Sequence, residues 1–403
     1  MIFTALSLLM VLAACQSTPQ QEEQQAVAPA PALPPVELQS IPEKAEPEPP
    51  PPPVDLWDRM RRELTWQSIH NEQVGRARDH FLKQHDYLDV IAQRASLYLY
   101  YIVEEVERRG MPMEVALLPL VESTLNPFAY SSARAAGLWQ IMPATGKQLG
   151  LERDWWYDGR RDLRDSTDVA LNYLESLHKL FDGDWLLALA AYNSGKGRVA
   201  RAMKANRQKG LPTDYWSLKL PRETRYYVPK LVALAQIVAY PDAFGIDIPT
   251  VANAPAFEIG DTGGQIEIAR AADLAGVEVA TLRALNAGHL RWATSPDQAP
   301  ELLLPIGVSD QFETGIATLT EDDRVTWQFY EIQSGDNLIR IAKQFDTEVG
   351  LLREANNIRG SMIRAGDTLM IPKGSAWYDS LAMAGDEPTQ RTGYRVRRGD
   401  SLY

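Results

Sequence analysis

Thiols and imidazoles are scarce in this sequence. Cys15 is the only cysteine among 403 residues, which excludes an internal disulfide framework and any metal site built from several thiolates. Of five histidines, His70, His80, His85 and His178 show neither an HExxH-like pattern nor paired ligand spacing, so no metal is expected. No Gly-rich loop stands where a strand turns into a helix, so the usual cradle for a phosphate is missing and no cofactor is expected. Basic residues are outnumbered: 41 Lys and Arg face 53 Asp and Glu, a net charge of −12 without a basic cluster, which argues against nucleic acid as a partner. The apolar stretch 2–14 is too short to cross about 30 Å of hydrocarbon as a helix.

That stretch reads instead as the core of a signal peptide, residues 1–14. Its end, Leu12-Ala13-Ala14-Cys15, resembles the bacterial lipobox, in which the signal is cleaved before the cysteine and the cysteine carries a lipid anchor. Several acyl chains make such an anchor stable, since each buried CH₂ contributes about 0.8 kcal/mol. Gln16 in place of Asp resembles lipoproteins sorted to the outer membrane, which implies its periplasmic face. The segment lacks a basic start, and this predicts that the natural chain begins upstream of Met1. Residues 15–53 are rich in Pro, Ala, Glu and Gln and have little to bury, so they are expected to form a disordered tether with extended stretches. At about 3.1 Å per residue its upper reach is roughly 100 Å.

From 54 to 245 the texture is helical, and strand-like alternation is nearly absent. Tyr87, Val90, Ile91, Leu97, Tyr98, Tyr101, Ile102 and Val106 recur at helical spacing. Gly110-Met111-Pro112 closes that helix, and 113–123 restarts a short apolar one carrying Glu122 near its end. Pro143 suits the first position of a helix over 143–149. Ser166 or Thr167 is expected to cap the next, whose apolar face is Ala170, Tyr173, Leu174, Leu177, Leu180 and Phe181. A helix over 185–192 stops at Asn193-Ser194-Gly195, and a last one runs from about Thr224 to Tyr240. The prediction is an all-α domain.

Beyond 250 the pattern repeats at small-module spacing. Tyr330-Glu331-Ile332-Gln333-Ser334-Gly335-Asp336-Asn337-Leu338 is echoed by Tyr394-Arg395-Val396-Arg397-Arg398-Gly399-Asp400-Ser401-Leu402. The first copy, 329–372, reads strand, helix, helix, strand and resembles a lysin motif (LysM), a family that binds N-acetylglucosamine-containing glycans in a groove between each strand and the following helix. The second copy, 394–403 after a linker at 373–393, stops at Tyr403 after its first strand, so the chain is expected to be a fragment of a longer product. Residues 250–310, with Leu285-Asn286 and Leu302-Leu303-Leu304-Pro305, keep the same outline in eroded form.

Within Ala116-Leu117-Leu118-Pro119-Leu120-Val121-Glu122-Ser123, Glu122 is the odd residue. An ionisable group at the end of an apolar helix is either exposed or paired, or buried and functional. Its surroundings bear on the choice. Val121-Glu122-Ser123-Thr124-Leu125-Asn126-Pro127, Ser131, Gly137-Leu138-Trp139-Gln140-Ile141-Met142-Pro143-Ala144-Thr145-Gly146, Ala190-Ala191-Tyr192-Asn193-Ser194-Gly195 and Pro221-Arg222-Glu223-Thr224-Arg225-Tyr226-Tyr227-Val228-Pro229 follow in order. They resemble the catalytic core of the soluble lytic transglycosylase family, whose members cut the glycan strands of peptidoglycan.

The resemblance implies a mainly α chain: a lysozyme-like all-α catalytic domain followed by small βααβ LysM modules. It implies that Glu122 protonates the leaving oxygen and then takes the proton from the C6 hydroxyl of N-acetylmuramic acid, closing a 1,6-anhydro ring without water. It further implies that Ser131, Gln140 and Tyr192 hydrogen-bond the substrate or Glu122, that Met142 walls a sugar, and that Asn193 supports the loop. Glu223 would orient Tyr192 and Arg225, with Tyr226 beside them, rather than act as a second catalyst. A Glu with pKa about 4.3 is only about 0.2% protonated at pH 7, whereas a rise of two units gives about 17%. Burial shifts a carboxyl that way.

Two other readings stay open at this level. A lysozyme-type hydrolase would use water in place of the C6 hydroxyl and needs a second poised carboxylate, which no matched motif offers. A non-catalytic wall-binding lipoprotein would not need Glu122, Gln140 and Tyr192 together. Asp158, Asp162, Asp165 and Asp168 lie among Arg160, Arg161 and Arg164 and read as caps, turns and a solvated ion-pair cluster rather than a cation site. Regulatory protein partners are not legible.

Overall fold

The computed structural model describes residues 54–372 except 85, 86, 326, 346, 348 and 357. Cys15, the signal and tether over 1–53, the linker 373–393 and the second LysM start at 394–403 lie outside the described residues.

The first half is helical, and short polar side chains start most of its helices. Asp55 caps α1 (Leu56–Glu63), and Asn71 caps α2 (Glu72–Leu82) by accepting from the Val74 amide at 2.9 Å. α3 (Tyr87–Arg108) leads to a 3₁₀ turn at Met113–Leu117 and then α4 (Leu118–Ser123), so the single helix expected over 113–123 is split in two. α5 (Pro143–Gln148) begins on Pro143 as expected. α6 (Leu163–Leu180) starts earlier than expected. Asp162 is its cap, at 2.8 Å from the Asp165 amide, while Ser166 and Thr167 are buried within it. α7 (Trp185–Ser194) ends on Gly195, whose φ of 86° suits glycine. α8 (Lys196–Gln208) follows; its polar surface gave no sequence signal. α9 (Arg222–Ala239) closes the series.

The core of this half is built around α9, against which α1, α2, α4 and α7 pack. Tyr227, Val228, Leu231, Val232, Leu234, Ala235, Ile237 and Val238 are buried along it, and each fully buried aliphatic side chain contributes about 1.5–3 kcal/mol. Gln236, also buried, is fully engaged: it accepts from Arg78 Nη1 at 3.0 Å and donates to the Gln67 and Ile69 carbonyls at 3.1 and 2.9 Å.

Two βααβ units follow. In the first, β1 (Phe257–Asp261) pairs antiparallel with β2 (Glu301–Pro305) around α10 (Ile268–Ala275) and α11 (Val279–Leu285). After α12 (Ser309–Ile316) and α13 (Glu321–Arg324), the second pairs β3 (Trp327–Glu331) with β4 (Thr368–Pro372) around α14 (Leu338–Gln344) and α15 (Val349–Ala355). One asparagine brackets each unit. Asn286 Nδ2 donates to the Leu282 and Leu303 carbonyls at 2.8 Å and its Oδ1 accepts from the Leu303 amide at 2.8 Å. Asn356 makes the same three bonds with Leu352 and Met370, at 2.8, 2.8 and 2.7 Å. The chain is therefore mainly α with small α+β modules, as the sequence implies.

The two units differ in attachment. Leu285 and Leu303 of the first belong to the same core as α9, and Trp155 and Trp156 of the helical half pack on the first unit's own cluster. The second has a core of its own, Ile332, Leu338, Ile341, Ala342, Leu352, Leu369 and Ile371, and reaches the first through Leu351, which is buried in the first unit's cluster. Among the described residues no helix is long and apolar enough to cross a membrane, and no group of three or more His, Cys, Asp or Glu could hold a metal ion.

Candidate active site

Glu122 is the penultimate residue of α4, and α4 ends abruptly after it. Thr124 and Leu125 both take left-handed φ values, 54° and 53°, returning their amides to the Leu120 and Pro119 carbonyls at 3.1 Å. Such a backbone costs a non-glycine residue about 1–3 kcal/mol. Full burial of Leu125 and a 2.9 Å bond from Arg94 Nη1 to the Thr124 carbonyl offset it.

The Glu122 residue is half-buried, while its carboxyl is enclosed by protein. Burial pushes the carboxyl up to about 7; the Tyr227 hydroxyl, which donates to Oε1, draws it down, the Glu223 charge raises it, and Lys230 lowers it. Tyr227 and Tyr192 are themselves held neutral, first by burial and then by the Glu122 charge. Both remain proton donors in hydrogen bonds.

The loop after α4 is shaped by a buried ion pair. Arg160 is 1% exposed and Asp158 3%. They pair through Nε to Oδ1 at 2.9 Å and Nη2 to Oδ2 at 2.6 Å, and Nη1 donates to the Arg134 and Ile141 carbonyls at 2.7 and 3.1 Å. This corrects the expected solvated cluster, because Asp158 and Arg160 lie inside. Gly137, at φ 80°, runs against Arg160 so closely that a Cβ there would meet its carbonyl oxygen at 2.0 Å. Gln140 also takes a positive φ, 47°, and its Nε2 donates to the Gly137 carbonyl at 3.0 Å.

Gln140, Met142, Tyr192 and Asn193 come together in the wall of one cavity of about 400 Å³, with Tyr173 and Arg198. Tyr192 donates to the Trp139 carbonyl at 2.8 Å, and Met142 is 42% exposed. A second cavity of about 660 Å³ is lined by Arg76, His80, Arg222, Glu223, Tyr226 and Lys230. Glu122 lies in neither lining. Its charge reaches Tyr192 of the first, and Glu223 and Lys230 of the second act on its carboxyl.

Ser131 is placed differently: its hydroxyl accepts from the Ala135 amide at 2.9 Å within a turn. Glu223 and Arg225 are exposed on α9. Tyr226 lies under the Arg222 guanidinium at 5.9 Å, and its neighbour Tyr227 is the residue that holds Glu122. The sequence reading missed Tyr227, although its spacing from Leu231 and Leu234 puts it on the buried stripe of α9. Arg94 and Arg160 were missed because both act through backbone carbonyls.

The description "Transglycosylase SLT domain" matches residues 100–213, "Lytic transglycosylase MltD, LysM-like domain" matches 260–320, and "LysM domain" matches 330–372. The membrane-bound lytic murein transglycosylase D of two Escherichia coli strains is 40% identical over 359 residues, covering 86% of this chain and 78% of theirs. A solved structure of an inactive mutant of the lytic transglycosylase Slt from Pseudomonas aeruginosa is 27% identical, with a TM-score of 0.29 over 36% of this chain and 24% of that one.

Proposed function

As a member of the membrane-bound lytic murein transglycosylase D family, the chain is a lytic transglycosylase acting on peptidoglycan, and we propose that Glu122 is its single catalytic acid and base. The observation that carries this is the carboxyl enclosed beside Tyr227 and pushed up to about 7, which leaves about half of it protonated at neutral pH. A group poised there can give its proton to the leaving glycosidic oxygen and, as the resulting carboxylate, remove the proton of the C6 hydroxyl. That hydroxyl then closes on the anomeric carbon. Gln140, Met142 and Tyr192 bind and orient the sugar in the adjoining cavity, and Asn193 in its wall supports the loop. An internal hydroxyl held within reach has an entropic advantage over water, since effective molarities of oriented groups are very large.

Digestion of purified peptidoglycan in ¹⁸O-labelled water tests the reaction. The released fragments should end in 1,6-anhydro-N-acetylmuramic acid, resist borohydride reduction and carry no label. Labelled, reducible ends would replace this reading with hydrolysis.

Attachment is part of the same proposal. The E. coli relatives are named membrane-bound, and Leu12-Ala13-Ala14-Cys15 supports a lipid on Cys15 that holds this chain at the periplasmic face of the outer membrane. Cys15→Ala should abolish palmitate labelling and move the enzyme from the membrane to the soluble fraction.

A further inference from the structure

The two βααβ units share a fold and an asparagine bracket, yet their loops are used differently. In the second, the backbone bonds between the loop after β3 and the loop before β4 lie, among the described residues, at the base: the Ile332 amide to the Asp367 carbonyl at 2.8 Å and the Gly366 amide to the Ile332 carbonyl at 2.9 Å. The first is laced further along. The Ile268 amide donates to the Trp292 carbonyl at 2.7 Å, the Thr294 amide to the Ile266 carbonyl at 2.9 Å, the Ile266 amide to Thr294 Oγ1 at 3.0 Å, and Gln265 Nε2 to the Thr294 carbonyl at 2.8 Å. From bracket asparagine to its strand partner the first unit spans 17 residues and the second 14. The longer loop is thus bonded back onto the segment between β1 and α10, the side on which the LysM resemblance puts a glycan.

The outer side of that loop is spent on the catalytic half. The Gly288 carbonyl accepts from the Asp158 amide at 2.9 Å, the Leu290 amide donates to the Trp156 carbonyl at 2.7 Å, and Arg291 Nε donates to the Trp155 carbonyl at 3.1 Å, its guanidinium 4.5 Å from the Trp155 ring. Gly288 is pressed onto Tyr157 so tightly that a Cβ would meet the ring at 2.6 Å. Asp158 is the partner of Arg160, and Arg160 holds the Ile141 carbonyl, between Gln140 and Met142, and the Arg134 carbonyl earlier in the same loop.

We infer that the unit at 257–305 is a positioning element of the active site, acting through Gly288, Asp158 and Arg160 on the Gln140–Met142 loop, and not a second glycan-binding module. The inference rests on the assignment of that loop to the substrate cleft, so Gln140→Ala is the reference variant. In the full chain, Gly288→Ala and Arg291→Ala should each raise KM about three- to tenfold on defined glycan fragments, because a small misplacement of binding groups weakens substrate orientation. The pH limb of kcat, set by Glu122, should stay in place. Arg160→Lys keeps the charge but loses the fork and should give the same rise. Combined with Gly288→Ala it should give less than the product of the two effects, as residues in one chain of contacts do. Titration with N-acetylglucosamine oligomers, followed by amide NMR of the full chain, should perturb 332–366 and leave 262–300 unmoved.

Unaltered KM in both Gly288→Ala and Arg291→Ala beside an impaired Gln140→Ala overturns the inference while leaving the cleft assignment standing. So do independent, multiplicative effects, or saturable shifts within 262–300. An unaltered Gln140→Ala protein instead removes the cleft assignment, and the relay's target with it. Should Gly288→Ala fail to fold, Arg291→Ala, on the half-buried face of the same loop, decides the question.

Discussion

A carboxyl that titrates near 7 has consequences for stability as well as for rate. Glu122 is raised from 4.5 to about 7, so between those values the folded chain binds more protons than the unfolded one, and stability falls as pH rises across that window. Above it the ionised carboxyl costs on the order of 3 kcal/mol at most. Glu122→Gln keeps the shape and can still accept from Tyr227, so the variant should be inactive on sacculi yet melt at a higher temperature than wild type. Calorimetry should find the gap small at pH 5 and largest at pH 8; a gap that does not grow with pH removes the raised pKa. Tyr227→Phe removes the bond that favours the carboxylate. Proton donation then becomes harder, kcat should fall about tenfold for a loss near 1.4 kcal/mol, and the alkaline limb should move up. Because one group first gives and then retakes the proton, kcat should follow a single descending limb near pH 7, without the bell of a two-carboxylate hydrolase.

Among the elements, the loop between α4 and α5 depends most on a single contact. Gly137→Ala places a methyl against the Arg160 carbonyl at a φ that disfavours any side chain, so it should displace Gln140 and Met142 and reduce kcat/KM at least about tenfold, read on soluble fragments. Retained kcat/KM would mean that the loop relaxes. The helices around this loop were legible from periodicity and punctuation, since Pro143 starts α5 and Gly195 ends α7. The start of α6 was misread because Ser166 and Thr167 are good caps in isolation, yet Asp162 stands one turn earlier and Thr167 accepts from buried Trp139 at 2.9 Å. α8 escaped because a polar helix shows little period. Gln140, Met142, Tyr192 and Asn193 are singled out by motif, and they line one cavity. Tyr227 stands within a matched motif but its role was not legible there, and Arg94 and Arg160 gave no motif signal, because their work is done by contacts across 30 or more residues or through the main chain.

At the scale of the molecule, the second βααβ unit keeps its own core and, among the described residues, gives Leu351 to the first unit's cluster but nothing to the core around α9, so its removal leaves the catalytic half closed. A chain ending before β3 should cut soluble fragments almost as well as the full chain but co-sediment poorly with sacculi, because the module raises local concentration and leaves the chemistry alone. Equal co-sedimentation would end its targeting role. The first unit offers no such cut, since Leu285 and Leu303 belong to the central core. The matching brackets at Asn286 and Asn356 therefore describe one small fold in two occupations. Among the described residues, the buried apolar side chains of the second unit other than Leu351 pack within it, so changes there leave the catalytic half intact. The first unit is bonded into the helical half, and a substitution in its loops should surface as a catalytic defect far from any catalytic residue.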